Sequence, residues 1–142
     1  MPWYERYLNI PFKHLGDDIN TGIDCVNLSA YIFKQELDID IKIKSYDHCN
    51  IVDEHWYSKM TIDPFYKELI NNENWVKVNN PSKYDIILLS LGSTNVTNHC
   101  GMYLGDKKIL HTSPDKRSWA GIYGNYYKQY TVGIYRWKSL IN

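Results

Sequence analysis

The chain lacks a charge bias, a long apolar run and a cysteine-rich framework. Its sixteen basic and sixteen acidic residues cancel to a formal net charge of +0, so no general electrostatic attraction to nucleic acid is expected. No stretch approaches the roughly 18 consecutive apolar residues of a transmembrane helix, which predicts no membrane span. Residues 1–7 have no basic start followed by an apolar run, so they do not resemble a secretory signal peptide.

Three cysteines are an odd number, and at least one thiol therefore stays free in any pairing scheme. A free thiol is typical of a protein made in a reducing compartment. No cysteine pair has the spacing of a zinc knuckle, and we expect neither a metal nor a cofactor. The polar cluster of Asp47, His48, Cys49, Asp53 and His55 is interpreted as a solvated loop, with a metal site as the alternative.

What the chain does contain is enough length for one domain with its own core. A chain of 142 residues buries roughly two-thirds of its unfolded surface, so disulfides are not needed for stability. The sequence shows no linker, repeat or low-complexity tail. We therefore expect a single domain over residues 1–142.

One predicted helix carries a cysteine in its first turn. Asp24 is a typical N-cap, and apolar residues at helical spacing continue to about Leu37. Cys25 then lies near the positive end of the helix dipole, which favours a thiolate. Taken alone, a cysteine in a helix is more often a small buried apolar residue, so a nucleophilic role needs a base nearby.

The second half of the chain has the alternating pattern of strands. A helix is predicted at 63–70, and strands are predicted at 75–78, 84–89, 99–104, 109–112 and 132–137. Helices come first and antiparallel strands follow. That order is typical of an α+β fold.

A hairpin in this sheet carries two histidines. His99 opens one strand and His111 lies on its partner, with Gly105 in the connection. The two side chains share a face only if the connecting loop has an odd number of residues, and a three-residue loop meets this condition. Cys25 would then be the nucleophile, His99 its base and His111 the group that orients His99. The backbone N–H of Cys25 is the candidate oxyanion donor.

Two neighbouring features have simpler structural interpretations. Cys100 follows His99 and should point to the opposite face of the strand, where it would be packed. The high aromatic content is typical of core and half-buried sheet positions. Within it, one C-terminal cluster is the best candidate for a protein interface: Tyr123, Tyr126, Tyr127 and Tyr130.

Several motifs together resemble one known family. Gly22-Ile23-Asp24-Cys25 resembles the start of the nucleophile helix in the NlpC-type cell-wall cysteine peptidases. The motif His-x-Gly-x-Tyr-x-Gly at 99–105, followed by a Leu-His pair at 110–111, resembles the strands that carry the base in that family. The segments 83–89 and 133–137 are similar to two of its further strands.

The resemblance implies a papain-like α+β fold, in which the nucleophile helix packs on an antiparallel sheet of about five strands. It implies Cys25, His99 and His111 as catalytic residues, without a cofactor, and the peptide stem of bacterial peptidoglycan as the substrate. The chain looks most like the phage-tail branch. Other tail-tip proteins are then the expected partners, and the virion is the expected location after synthesis in the host cytoplasm.

The chain departs from the family pattern at two places. Val26-Asn27 follows the cysteine where Ser-Gly is usual. Phe12 stands where a tyrosine lies near the oxyanion site, and phenylalanine cannot donate a hydrogen bond. Asp24, Phe12 and His14 are the candidate substrate-binding residues. The departures leave two alternatives open: a structural tail protein without activity, and a thiol acyltransferase or amidase.

Overall fold

The computed structural model describes residues 1–41, 73–91, 99–113 and 116–141. The helix predicted at 63–70 and the polar cluster between residues 47 and 55 lie outside the described residues. All statements below concern the described part of the chain.

Helix α1, Cys25–Leu37, is the main helix, and its bounds agree with those predicted from the sequence. It begins at Asp24, whose carboxylate accepts a hydrogen bond from the backbone N–H of Asn27 at 2.7 Å. It ends at Asp38, which adopts the left-handed conformation at φ 54°. The helix buries one side, made of Cys25, Val26, Leu28, Ser29, Ile32 and Phe33.

The described residues form one six-stranded antiparallel sheet and one short hairpin. The hairpin consists of β1 and β2, and the sheet has the order β3-β8-β4-β5-β6-β7. The strands are β1 Asp17–Asp18, β2 Gly22–Ile23, β3 Trp75–Val78, β4 Ile86–Leu89, β5 His99–Gly105, β6 Lys108–Ser113, β7 Lys116–Ile122 and β8 Thr131–Trp137. A short helix, α2, covers Asn125–Gln129, and two 3-10 turns cover Glu5–Tyr7 and Lys138–Leu140.

The α+β class is confirmed, while the expected count of about five strands is wrong by one. The missed strand is β7, Lys116–Ile122, at one edge of the sheet. Its sequence does not alternate between apolar and polar residues. This strand pairs with β6 and with the N-terminal arm. No local sequence pattern predicts these partners.

The N-terminal arm lies along β7 and closes that edge of the sheet. The backbone N–H of Asn9 donates to the carbonyl of Ser118 at 2.8 Å, and the N–H of Ser118 donates to the carbonyl of Ile10 at 2.9 Å. The buried Ser118 hydroxyl accepts from the N–H of Ile10 and donates to the carbonyl of Tyr7. An edge strand with paired N–H groups is protected from pairing with another chain.

The two faces of the sheet are both covered. Alternate residues of β4 and β5 face α1, and they pack with it in the larger core cluster: Ile86, Leu88, Cys100, Met102 and Leu104. The opposite face packs a smaller cluster that includes Ile87, Leu89, Ile109 and Tyr123, with Tyr127 of α2 against it. The start of β5 therefore lies between a layer carrying α1 and a layer carrying α2.

A buried ion pair ties the turn before β4 to the last strand. The Arg136 guanidinium donates to both carboxylate oxygens of Asp85, at 2.9 and 2.8 Å. Asp85 is fully buried and also accepts from the N–H of Ser82 at 2.7 Å. This bidentate geometry fixes the start of β4 to β8, its neighbour on the side away from β5.

Candidate active site

The segment before α1 is held against the start of the helix. The N–H of Asp24 donates to the carbonyl of Gly16 at 3.0 Å, and the side-chain amide of Asn27 donates to the same carbonyl at 3.1 Å. Within this segment Gly22 allows a close approach to Lys13, since it has φ +139° and a Cβ there would lie 2.4 Å from the Cβ of Lys13. Asn27, one of the two departures from the family pattern, thus anchors the loop that precedes the cysteine.

The hairpin of β5 and β6 places two imidazoles on one face. His99 Nε2 lies 2.9 Å from His111 Nδ1. The register pairs Tyr103 with Ile109 and Gly105 with Lys108, so β5 has one extra residue before the turn. The parity condition is therefore met, because five residues separate Tyr103 from Ile109.

The parity condition is met in another way than by a three-residue loop. The turn contains two residues, Asp106 and Lys107, with φ of 50° and 60°. Positive φ at both central positions is typical of the type I′ turn, which matches the right-handed twist of the flanking strands. The odd number of residues between the paired positions Tyr103 and Ile109 comes from the bulge in β5 and not from the turn. The bulge has no clear signal in the sequence.

The Cys25 thiol meets two residues of β5. The Cys100 thiol and the His99 ring both hydrogen-bond to the Cys25 sulfur. These hydrogen bonds lower the pKa of Cys25 well below its ordinary value, and the bond from Cys100 has the largest effect. Burial of the thiol acts in the opposite direction. The pKa of Cys100 is raised, because its thiol gives its hydrogen bond to the Cys25 sulfur and is itself buried. The site therefore favours a thiolate at Cys25 and a protonated thiol at Cys100.

The contact of Cys100 with Cys25 was missed at the sequence level. Alternation does place Cys100 on the face opposite His99 and it is packed, as predicted, with 3% of its surface exposed. That face is the one covered by α1, so the residue lies beside the nucleophilic sulfur. The His-Cys dipeptide could have indicated this contact. Cys100 directly follows the base, and its strand end lies beneath the start of α1.

His111 is a buried neutral group. Burial, the positive charge of His99 and the charge of Lys116 lower the pKa of His111 to about 3. A neutral imidazole has one ring nitrogen that accepts a hydrogen bond, so His111 can accept from His99 at any pH above this value. The chain of contacts runs from Cys25 through His99 to His111.

The three candidate substrate-binding residues occupy different environments. Asp24 is 2% exposed, and its Oδ2 has no hydrogen-bond partner among the described residues. Burial, followed by the charge of Cys25, raises the pKa of Asp24 to about 8. Phe12 and His14 are half-buried in the segment held against the helix start. Their role in binding stays a prediction.

Neither a metal cluster nor a membrane helix is found where the structure is described. No three His, Cys, Asp or Glu side chains in residues 1–41, 73–91, 99–113 and 116–141 converge as metal ligands. In the same ranges, no helix has the length and apolarity to cross a bilayer.

Comparison with known proteins gives this arrangement a family. A profile of the NlpC/P60 family matches residues 9–136. No curated protein sequence matches the chain. Among solved structures, the chain is similar to the NlpC/p60 domain of the peptidoglycan hydrolase SagA, with a TM-score of 0.56 and 18% identity over 92% of this chain and 89% of that chain.

Two longer structures share the fold as well. An NlpC/P60 family protein from Bacillus cereus has a TM-score of 0.66 and 20% identity, over 94% of this chain and 37% of that chain. A lipoprotein-like NLP/P60 family protein from Staphylococcus aureus has a TM-score of 0.59 and 15% identity, over 92% of this chain and 37% of that chain. The chain thus spans about a third of either longer protein. The structural likeness confirms the papain-like fold. Because the family profile matches most of the sequence, the chain belongs to the NlpC/P60 family.

Proposed function

We propose that the protein is a cysteine endopeptidase that cleaves the peptide stem of bacterial peptidoglycan. The observation that carries the proposal is the contact chain from the Cys25 thiol to His99 and from His99 Nε2 to His111 Nδ1 at 2.9 Å. A thiol with a lowered pKa at a helix start, next to an imidazole that a third group orients, is the arrangement of a thiol hydrolase. Members of the NlpC/P60 family are typically cell-wall peptidoglycan hydrolases, which supports the choice of substrate.

In the proposed reaction, the Cys25 thiolate attacks the carbonyl carbon of the scissile amide. His99 gives its proton to the leaving amine, and a thioester forms at Cys25. His99 then takes a proton from a water molecule, which attacks the thioester and releases the acid and the free thiol. The backbone N–H of Cys25, at the positive end of α1, is the proposed donor to the oxyanion.

The test is digestion of purified peptidoglycan by the parent and by Cys25→Ala. The parent should release stem peptides with new amino termini, and the variant should release no more than a blank without protein. The melting temperature of each protein shows that both are folded. Equal digestion by the two proteins would overturn the proposal. Product analysis also tests the acyltransferase and amidase alternatives, since these predict acyl transfer or release of whole stems.

We also propose that the protein acts from the tail of a phage particle, with other tail-tip proteins as its partners. The proposal follows from the expectation, stated in the sequence analysis, that the chain looks most like the phage-tail branch of the family. Purified particles from a lysate of cells that encode the chain should contain it at a fixed number of copies per particle. Its absence from particles, with the protein present in the cell-wall fraction, would contradict this location.

A structural protein without activity is the second candidate. The observation that favours it is Phe12, which lacks the hydroxyl found at this place in the family. Loss of one oxyanion donor costs roughly 3 kcal/mol of transition-state stabilisation. Alkylation of Cys25 by iodoacetamide separates the two candidates. Fast reaction near pH 6 indicates a thiolate, and reaction only above about pH 8 favours the inactive protein.

A further inference from the structure

We propose that Tyr127 is a positioning residue that fixes the tautomer of His111, by accepting a hydrogen bond from its Nε2–H, and thereby holds the ring of His99. Tyr127 Oη lies 3.3 Å from His111 Nε2, and His111 Nδ1 lies 2.9 Å from His99 Nε2. The inference rests on the proposed thiol chemistry, because it assigns a role to a residue behind the base. It adds a fourth group to the chain that starts at Cys25.

The tautomer follows from the proton count on the two rings. When Cys25 and His99 form a thiolate–imidazolium pair, both ring nitrogens of His99 carry protons. His99 Nε2–H then donates to His111, so Nδ1 of His111 must be unprotonated. A neutral His111 keeps its single proton on Nε2, and that N–H points to Tyr127. The other tautomer would place two N–H groups against each other across 2.9 Å.

Burial makes the partner of this N–H important. His111 has 2% of its surface exposed, so water cannot readily replace a lost acceptor. Its ring is held from two sides, by the Trp119 ring at 3.9 Å between centroids and by the Tyr127 ring at 5.1 Å and 80°. Trp119 is an indole without an acceptor atom, and the hydroxyl of Tyr127 is therefore the acceptor that the described contacts supply.

The backbone around Tyr127 is fixed by its own hydrogen bonds. Its carbonyl accepts from the Thr131 hydroxyl at 2.9 Å, and this hydroxyl also bonds the Tyr123 hydroxyl at 2.7 Å. The N–H of Tyr130 donates to the same carbonyl at 3.1 Å. These contacts hold α2 in place, so that the hydroxyl of Tyr127 has a defined position relative to His111.

The charged and titratable groups around the site agree with a neutral His111 and a neutral Tyr127. His99 and Lys116 both disfavour a positive charge on His111, and Lys116 itself lies 4.3 Å above the Trp119 ring. Burial, followed by the nearby Tyr126, raises the pKa of Tyr127, so its phenol stays protonated. On the other side of His99, the titratable neighbours of the Cys25 sulfur are Cys100 and Asp24.

The experiment compares Tyr127→Phe with the matched control Tyr126→Phe. Tyr126 precedes Tyr127 in α2, its ring contacts that of Tyr127 at 5.1 Å, and it is 60% exposed. Two measurements are made on each protein and on the parent: the tautomer of His111 by nitrogen NMR, and the pH profile of Cys25 alkylation by iodoacetamide. Mass spectrometry of the peptide that contains Cys25 excludes signal from the other two cysteines.

In the parent, the nitrogen spectrum should show the proton of His111 on Nε2. In Tyr127→Phe, His111 should populate both tautomers, and the pH profile of Cys25 alkylation should shift to higher pH, because a less firmly held His99 stabilises the thiolate less. Tyr126→Phe should match the parent in both readouts. Loss of packing alone would lower the melting temperature without moving the tautomer.

Two results would overturn the inference. One is a parent protein whose His111 carries its proton on Nδ1. The other is a Tyr127→Phe variant with the parent's tautomer and alkylation profile. Failure of the proposed function is distinct from both, since it would show as slow Cys25 alkylation in the parent itself, whatever the tautomer of His111.

Discussion

The acidity of Cys25 comes from two neighbours on the same strand. The Cys100 thiol donates to the sulfur from the face beneath α1, and His99 meets it from the end of the strand. A hydrogen bond and a positive charge both stabilise the thiolate against the cost of burial. At the residue scale, the site therefore depends on a dipeptide, His99-Cys100, whose two side chains point to opposite faces of the sheet.

Removal of the Cys100 thiol tests how much each of the two neighbours, Cys100 and His99, lowers the pKa of Cys25. Cys100→Ala should raise the pKa of Cys25, because the first of its stabilising hydrogen bonds is lost. The alkylation profile of Cys25 should shift to higher pH. Cys100→Ser keeps a small donor at the same place and should shift the profile less. Identical profiles for the parent and Cys100→Ala would show that His99 alone sets the acidity of the thiol.

Asp24 gives the stability of the protein a pH dependence. Its pKa is raised from 3.8 to about 8 in the folded state, mainly by burial. Above about pH 4 the unfolded state releases a proton that the folded state still holds. The free energy of unfolding that Asp24 contributes is therefore lost as the pH rises from about 4 through about 8. Asp24→Asn keeps the cap and cannot ionise. We expect it to match the parent near pH 4 and to be more stable at pH 9.

Thermal or urea unfolding at a series of pH values measures this effect. The difference between parent and Asp24→Asn should grow by at most about 1.4 kcal/mol per pH unit across this window. Asp38→Asn is the control at the other end of α1, where the side chain is 87% exposed and asparagine tolerates the left-handed backbone. A difference that stays constant with pH would contradict the raised pKa of Asp24.

At the element scale, the turn between β5 and β6 sets the relation between the two histidines. Asp106 and Lys107 both have positive φ, and Lys107 has φ 60° without being a glycine. A residue with a Cβ pays roughly 1–2 kcal/mol in this conformation. The turn is held in place by its surroundings, since the N–H of Lys107 donates to the Tyr103 hydroxyl at 2.9 Å and the Lys107 carbonyl accepts from the N–H of Tyr123 at 2.7 Å.

Lys107→Gly should relieve this strain. We expect a gain of about 0.5–1 kcal/mol in the free energy of unfolding, since the greater chain entropy of glycine offsets part of the benefit. Asp106→Asn, which tolerates positive φ about as well as aspartate, should change little. Equilibrium urea unfolding of the three proteins measures the difference. A destabilised Lys107→Gly would mean that the lysine side chain makes a contact worth more than the strain.

Some elements were predictable because their signals are local. The cap at Asp24 and the apolar spacing after it define α1, and the alternation around His99 and His111 defines the hairpin face. The bulge in β5, the strand β7 and the helix α2 were not predictable in this way. The strand β7 depends on a partner far along the chain, the N-terminal arm that pairs with Ser118 across more than 100 residues. The bulge has no clear sequence signal, and α2, with 5 residues, is too short for an apolar stripe.

The same limit applies to the candidate site. The sequence order of Cys25, His99 and His111 predicted which side chains meet, because helix start and hairpin parity are short-range rules. The neighbours that contact them, Cys100 and Tyr127, were not identified as such. Their contacts depend on which sheet face α1 covers and on where α2 lies, and both are tertiary facts.

At the scale of the whole molecule, the buried pair of Asp85 and Arg136 joins the start of β4, which pairs with β5, to the last strand, β8. Asp85→Ala leaves Arg136 without its carboxylate and should cost about 3–5 kcal/mol in the free energy of unfolding. Arg6→Ala is the contrasting control, since Arg6 pairs with Glu36 at a site where its side chain is 57% exposed. Its effect should be far smaller. Similar losses for both variants would show that burial of the pair does not matter.

The neutral character of His111 has a consequence for the proton that the base must deliver. With Asp24 held protonated below about pH 8, the described surroundings of His99 offer one permanent counter-charge, the thiolate itself. In the proposed reaction, acylation of the sulfur would remove that counter-charge. The imidazolium would then lack its thiolate partner at the step in which the departing amine needs a proton. A carboxylate in place of His111 would remain as a negative partner of the imidazolium throughout the reaction, whereas this molecule places a neutral ring there.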